Sequence, residues 1–152
     1  MESRASLLER LRTAHTQCRA LMPMGETLGF WVERVEAGSA AVVIEADDRH
    51  ANVMGVTHGG LLFVLADTAA GLAHLSLLAD GEAGTTVEMK INFLRPVWRT
   101  RLRAEAHTVQ CDVRGSNGCL VARAMATMMR LTGDAAVGRM TVYEGKPGTG
   151  CG

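Results

Sequence analysis

One long apolar stretch constrains the fold of this chain more than any other feature. Residues 61–66 are all apolar, and apolar residues recur up to position 78 with a single carboxylate, Asp67, among them. A helix of this composition has no broad polar face, so the pattern predicts a helix buried on nearly every side. A carboxylate inside such a helix loses hydration worth roughly several kcal/mol unless a partner offsets it. Asp67 is therefore the first candidate for a functional residue.

The start of the predicted helix is a second candidate, because Gly59 and Gly60 stand directly before the apolar run. The first N–H groups of a helix lack intrahelical acceptors, and glycines let a ligand approach them closely, as in an oxyanion hole. At ~1.5 Å rise per residue, however, Gly59 and Asp67 lie about 12 Å apart along one helix. If both act on one carbonyl, Gly59 of one protomer must face Asp67 of another across a two-fold axis.

Two motifs carry a resemblance to a known family. The first is Asn52-x-x-Gly55-x-x-His58-Gly59-Gly60 followed by Leu-x-x-x-Leu-Ala-Asp67, and the second is GTTVEMKINFLRP at positions 84–96. Together they are similar to the signature of hotdog-fold acyl-CoA thioesterases, in particular the PaaI-like group of phenylacetate degradation. The resemblance implies an α+β hotdog fold, in which an antiparallel sheet wraps around one long central helix. It also implies hydrolysis of an acyl-CoA thioester.

The resemblance assigns catalytic roles to five residues. Asp67 would activate water as a general base or attack the thioester carbonyl itself, and the sequence does not separate these routes. The Gly59 N–H would polarise the thioester oxygen, although this glycine also suits a tight helix start. Asn52 either orients water near the reacting carbonyl or stabilises a turn. His58 is expected to set the helix start, with general-acid work as a lesser alternative. Thr86 either holds the attacking water or simply favours a strand.

A second group of residues is assigned to substrate binding. Its members are Gly60, Thr85, Met54, Phe63, Arg95 and Arg114. Thr85 would replace Thr86 if the register were shifted by one residue, and the small Gly60 serves mainly packing. The Met and the Phe are candidates to line an acyl pocket. The two arginines would bind the phosphates of CoA, with a solvated strand face as the alternative for arginines of this region.

The rest of the chain supplies a terminal helix and short strands. Residues 2–22 have apolar positions spaced three and four apart, which predicts an amphipathic N-terminal helix that Pro23 and Gly25 end. Alternating apolar and polar residues or β-branched content predict the strands, which are 28–36, 40–46, 86–93, 101–106, 119–130 and 137–143. In the strand at 86–93, this alternation places Met89 and Thr86 on opposite faces. We expect one domain over residues 1–144 and a flexible tail over 145–152.

Composition and charge exclude several classes of partner. Sixteen basic residues balance sixteen acidic ones, so no overall field attracts nucleic acid or an anionic membrane.

Four cysteines without CxxC spacing, and no secretory signal, favour reduced thiols in the cytoplasm. His58 has no second ligand at a metal-binding spacing, so neither a metal nor a cofactor is expected. The resemblance implies acyl-CoA as the substrate, and a homodimer that pairs into a dimer of dimers.

Two other functions compete with this interpretation. A hotdog-type dehydratase or hydratase also couples a His to a carboxylate, but the His-Phe-Pro and Met-Pro-Gly stretches of the acyl-carrier-protein dehydratases are missing here. Some hotdog domains bind acyl-CoA without turnover. Asp67, Asn52 and Gly59 together favour the enzyme over such a binding module, and the site must decide, since the fold alone does not.

Overall fold

The computed structural model describes residues 5–6, 8–10, 13 and 22–136. Residues 22–136 contain two α-helices, α1 (Pro23–Leu28) and α2 (Gly59–Leu75), and 3-10 turns at Asp48–His50 and Gly133–Ala135. The strands of this part are β1 (Phe30–Glu36), β2 (Ser39–Glu45), β3 (Ala83–Phe93), β4 (Arg101–His107), β5 (Gln110–Gly115) and β6 (Leu120–Leu131).

The six strands form one antiparallel sheet around α2. Their order is β1-β2-β4-β5-β6-β3, and each neighbouring pair is antiparallel. Helix α2 packs against all six strands. Leu65 of the helix is fully buried, as are Val42, Leu102 and Val113 of the sheet, so the core lies between these two layers. The predicted α+β architecture, a sheet wrapped around one central helix, is confirmed.

Helix α2 is buried on one face only, which corrects the prediction that it is buried on nearly every side. Leu65, Ala66, Ala69 and Ala70 are fully buried against the sheet. A contiguous opposite face is half-buried or exposed; we call it the open stripe, formed by Gly60, Phe63, Val64, Asp67, Thr68, Gly71, His74 and Leu75. One sheet covers only the side of a helix that faces it, so this stripe, with its apolar Phe63, Val64 and Leu75, stays uncovered in the single chain. Asp67 is consequently half-buried.

Strand β3 departs from the predicted alternation at a β-bulge. Its pairing with β6 shifts register between Thr86 and Glu88. Thr86 reaches Asp67 on the helix, and Met89 packs on the same core. A bulge adds one residue to one strand and so turns the preceding side chains over. The prediction that Met89 lies opposite Thr86 is therefore wrong, because the extra residue, Val87, brings both to the face that α2 covers.

Two further boundaries differ from the sequence prediction. Pro23 and Gly25 lie inside α1, where proline suits the first turn because its missing N–H has no role there. Residues 101–115 form two strands joined at Thr108–Val109, although only the first was predicted. Thr108 takes a positive φ of 57° in this turn without being Gly or Asn, so the usual turn signal is missing. Residues 5–6, 8–10 and 13 are helical. The rest of the predicted helix at 2–22 up to residue 21, the strand at 137–143 and the tail at 145–152 lie outside the described residues.

The face of the sheet away from α2 carries a layer of ion pairs, which we call the outer face. Arg34 pairs with Glu36 and Glu105, and Arg103 pairs with Glu33 and Glu105. The stems of such side chains cover apolar groups, so Ala41 and Val43 are fully buried beneath them. Among residues 22–136 and the few described before them, no helix is long and apolar enough to cross a membrane.

Candidate active site

A carboxylate and a hydroxyl meet in a cavity beside the middle of α2. The Thr86 hydroxyl of β3 donates a hydrogen bond of 2.8 Å to Asp67 Oδ1. Both residues line a cavity of about 320 Å³ between α2 and the first part of β3, Ala83–Thr86. The bond holds one carboxylate oxygen, and no described residue donates to Oδ2. The cavity therefore presents an oriented carboxylate with one oxygen available to water or substrate.

The start of α2 lines a second cavity, of about 350 Å³. Gly59 lies there with Phe93 and Arg95, beyond the far end of β3. A Cβ atom on Gly59 would lie 3.0 Å from Phe93 Cζ, so the close approach of this ring favours glycine. No described residue accepts a hydrogen bond from the Gly59 N–H. This amide is available to a negatively charged or carbonyl oxygen.

His58 closes the helix start from the side. Its Nδ1 accepts a hydrogen bond of 2.9 Å from the Gly60 N–H, which makes His58 the N-cap residue of α2. Nδ1 is therefore unprotonated in this arrangement, and the ring is a helix cap. Because this bond occupies the Gly60 N–H, the Gly59 N–H is the first amide of the helix left to a ligand. A Cβ on Gly60 would approach His58 Nδ1 to 2.9 Å, so glycine also suits the cap.

The loop before α2 is held by its own polar groups. Asn52 Oδ1 accepts the Met54 N–H at 2.9 Å, and the Asn52 N–H donates to the Val56 carbonyl at 2.8 Å. The His58 N–H donates to the carbonyl of buried His50 at 2.8 Å. Asn52 thus shapes the turn, as one of its two sequence interpretations expected, and lines neither cavity.

Comparison with known proteins shows which family this chain belongs to. A family model described as the thioesterase superfamily matches residues 54–111. A candidate esterase of Saccharolobus solfataricus is 30% identical over 105 residues, which cover 63% of this chain and 74% of that protein. The chain belongs to the thioesterase superfamily. A candidate esterase of Archaeoglobus fulgidus is 29% identical over 119 residues, 72% of this chain and 75% of its own.

Solved structures narrow the family further. The PaaI protein from the phenylacetic acid degradation operon of E. coli is 26% identical, with a TM-score of 0.67 over 74% of this chain and 86% of that one. A mutant of the phenylacetic acid degradation protein PaaI from Thermus thermophilus is 28% identical, with a TM-score of 0.65 over 72% of this chain and 100% of that one. The predicted hotdog fold and PaaI-like resemblance are confirmed. The family and its relatives identify a hydrolase of thioesters in general terms.

The substrate-binding residues predicted for this PaaI-like chain fall into three places. Thr85 lines the Asp67 cavity, and Arg95 lines the Gly59 cavity. Met54 and Phe63 are exposed and line neither cavity of the single chain. Arg114 lies on the outer face, where it pairs with Asp112 at 3.0 Å, so the structure does not bring it to the site.

Among the residues that line the Asp67 cavity without having been predicted there, three bear on its chemistry and shape. His74 was not among the candidates from the sequence, yet it lines this cavity, and its buried Nε2 has no hydrogen-bond partner among the described residues. Gly84 lies against that ring, since a Cβ there would be 2.6 Å from His74 Cδ2. Gly71 lies between Asp67 and His74. Their spacings of four and seven residues from Asp67 place Gly71 and His74 on its side of the helix, and this signal was present in the sequence.

The two cavities contain different chemical groups. One provides a carboxylate and the other a helix N-terminus, and both border β3, at Ala83–Thr86 and at Phe93. No group of three His, Cys, Asp or Glu residues within the described ranges could hold a metal ion. The Asp67 carboxylate can transfer a proton or attack as a nucleophile, and the Gly59 amide can stabilise an oxyanion.

Proposed function

We propose that this protein is an acyl-CoA thioesterase that hydrolyses an aryl- or medium-chain acyl-CoA to the free acid and CoA. One observation carries the proposal. The Asp67–Thr86 pair faces a cavity at one part of α2, while the available Gly59 N–H faces a second cavity at the helix start. In a member of the thioesterase superfamily, these are the two groups that thioester hydrolysis needs.

A two-fold homodimer would bring these two groups together. β3 is an edge strand, and no described residue pairs with its free edge. If two copies pair antiparallel through this edge, the Thr86 end of one β3 lies beside the Phe93 end of the other. The 60% exposed Val87 and the 37% exposed Phe63 would then be covered, as an exposed apolar edge requires. Each dimer would contain two equal sites.

Two routes of hydrolysis fit these groups. As a base, Asp67 takes a proton from water, whose oxygen bonds to the thioester carbon. Negative charge then develops on the carbonyl oxygen, which accepts a hydrogen bond from the Gly59 N–H of the partner protomer. The C–S bond then breaks, and the CoA thiolate takes the proton. As a nucleophile, Asp67 forms an anhydride, expels the thiolate, and is regenerated by water. In a single turnover in heavy-oxygen water, label in Asp67 itself would establish the nucleophilic route, since it requires the anhydride.

The position of Arg95 and the nature of the relatives support the substrate class. Arg95 is an exposed cation at the Gly59 cavity, suited to a CoA phosphate, and no ion pair with a described residue competes for it. Two PaaI proteins of phenylacetic acid degradation share the fold at 26% and 28% identity, which favours an aryl acyl group.

Assembly and location are finer parts of the proposal. We place two dimers back to back or face to face in a homotetramer, to be tested by molar mass in solution. We place the protein in the cytoplasm because Cys111 and Cys119 are free thiols. Burial raises the pKa of Cys111 to about 12, which keeps it an inert thiol. The single domain over residues 1–144 and the tail after it belong to the same proposal.

Release of free CoA from a panel of aryl- and alkanoyl-CoA thioesters tests the function. Asp67→Ala and Asp67→Asn should lower kcat by about a hundredfold or more, since each removes the acid–base or nucleophilic group. Asp112→Asn is the matched control, because this carboxylate lies on the outer face and should leave kcat unchanged. Tight binding of every acyl-CoA without turnover by the wild type would instead identify an acyl-CoA-binding module.

A further inference from the structure

Gly71 is a glycine that the fold of the single chain does not require. It lies in the interior of α2, and its φ is not in the left-handed region. A Cβ atom built on Gly71 meets no atom within 4 Å, so alanine would fit. Glycine nevertheless destabilises a helix interior relative to alanine, because it loses more conformational freedom on folding. Its position therefore points to a need for open space above this turn of the helix.

That space belongs to the Asp67 cavity. Gly71 follows Asp67 by four residues, a rise of about 6 Å, and both line the same cavity. His74 stands at the next turn, and the strand wall opposite is Gly84 and Thr85. Gly71 therefore lines the part of the cavity that lies between the Asp67 carboxylate and the His74 imidazole.

A second observation points to an occupant of this cavity. His74 Nε2 is buried without a hydrogen-bond partner among the described residues. A buried polar atom normally has a hydrogen-bond partner, and an apolar acyl group does not supply one, so a polar group from beyond these residues is expected at Nε2. The cavity volume of about 320 Å³ is roughly twice the ~150 Å³ that is sufficient to bind benzene in an engineered apolar cavity. An acyl group of aryl size fits this space, and a side chain on residue 71 would reduce it.

We propose that Gly71 determines the size of the acyl group that the enzyme accepts. The thioester carbonyl lies at Asp67, and the acyl group extends along α2 over Gly71 towards His74. This inference rests on the proposed thioesterase function and assigns the acyl end of that same site. A methyl group at residue 71 would lie beneath the acyl group without touching the fold of the single chain.

Matched substrates test the proposal. kcat/KM is measured for phenylacetyl-CoA and for acetyl-CoA with the wild type, Gly71→Ala and Gly71→Val. We expect kcat/KM for phenylacetyl-CoA to fall about tenfold or more with Gly71→Ala, and further with Gly71→Val, since one methyl group in a pocket has this effect. The ratio to acetyl-CoA should fall by a similar factor. Gly115→Ala adds the same methyl group at an ordinary contact distance outside both cavities, and should leave the ratio unchanged.

Binding separates this proposal from the proposed function. In the Asp67→Asn background, the Kd of phenylacetyl-CoA relative to acetyl-CoA should rise with Gly71→Val even where no turnover is seen. Failure of the wild type to hydrolyse any thioester of the panel would refute the thioesterase and leave the Kd ratio to decide the role of Gly71. A parallel loss for both substrates, or an unchanged ratio, would overturn the inference. So would dissociation of the dimer by Gly71→Ala, because Gly71 would then serve close packing of two helices.

Discussion

Polar groups are paired with one another on the outer face of the sheet but are partly unpaired on the open stripe of α2. On the outer face, Arg34 and Arg103 pair with glutamates of neighbouring strands, and the apolar Val43 beneath is fully buried. On the open stripe, Asp67 keeps one oxygen without a donor and His74 keeps an unpaired Nε2, both among described residues.

This contrast separates structural charges from functional ones. Partly exposed ion pairs contribute little stability each, but they satisfy charged groups and cover a sheet face. Unpaired polar atoms beside exposed apolar groups are costly in a single chain unless a substrate or a second chain completes them. The open stripe and the free edge of β3 are therefore where a partner protomer and an acyl-CoA are expected.

The largest effect on kcat should come from variants that remove Asp67 or the Gly59 N–H, and from combining them in one heterodimer. Asp67→Asn removes the carboxylate, and Gly59→Pro removes the N–H at the first helical position. The backbone there suits proline because His58 is extended at φ −64° and ψ 133°. The exposed Phe93 ring, which a Cβ on residue 59 would approach to 3.0 Å, must move aside to admit it. Each variant alone should lose about a hundredfold in kcat or more. A heterodimer of the two, isolated by separate affinity tags, should recover about half of the wild-type activity, because one of its two sites is intact.

The matched control places both substitutions in one chain. A heterodimer of wild type with the Asp67→Asn, Gly59→Pro double variant has each site damaged once if sites form across the dimer, and it should be nearly inactive. If Asp67 and Gly59 of one chain acted together, the activities of the two heterodimers would be reversed. That result would refute a site shared between two protomers.

Loss of the Thr86 hydroxyl should have the next largest effect. Thr86→Val keeps the shape of the side chain but removes the donor to Asp67 Oδ1, so the carboxylate loses its orientation. We expect kcat to fall about tenfold with KM little changed, in line with the loss of one hydrogen bond to a charged group. Thr85→Val should act less, and mainly on KM. A larger fall of kcat for Thr85→Val would exchange the roles of the two threonines.

The part of the site that sequence could predict is the part that local pattern determines. Asp67 is conspicuous because it interrupts an apolar run, and Gly59 because it precedes one. The choice between Thr85 and Thr86 was not predictable, since it depends on a bulge in the pairing of β3 with β6. A bulge sets two residues of one strand against one residue of its partner, so it is a property of the pairing and not of one strand's pattern.

The open stripe shows a second limit of prediction from sequence. An apolar helix face has the same composition whether its own sheet or a second chain covers it, so Phe63 and Leu65 could not be told apart. Phe63 is 37% exposed, whereas Leu65 is fully buried. The split of residues 101–115 into two strands was missed for a local reason, because Thr108 turns the chain without a Gly or Asn signal.

A smaller effect should distinguish the two arginines proposed for CoA. Arg95→Gln removes an exposed cation beside the Gly59 cavity, and KM for acyl-CoA should rise about three- to tenfold with kcat little changed. Arg114→Gln should change KM by less than about twofold, because Arg114 is held by Asp112 on the outer face. Steady-state kinetics at low and physiological salt measure both variants. An equal rise in KM for Arg114→Gln would show that the outer face also binds substrate.

The smallest effect should appear in stability rather than activity, through Asp112 on the outer face. Hydrogen bonds from Arg123 and then the charge of both Arg123 and Arg114 hold the pKa of Asp112 below its ordinary value of 3.8, against the opposite influence of burial. A depressed folded-state pKa stabilises the fold above the unfolded pKa, and the contribution is lost as pH falls through the folded value. Asp112→Asn should therefore lower the free energy of unfolding by about 0.5–1 kcal/mol at neutral pH. Urea denaturation of both proteins should show this difference shrinking below about pH 4, and a difference that is constant down to acid pH would mean that the charge of Asp112 contributes nothing.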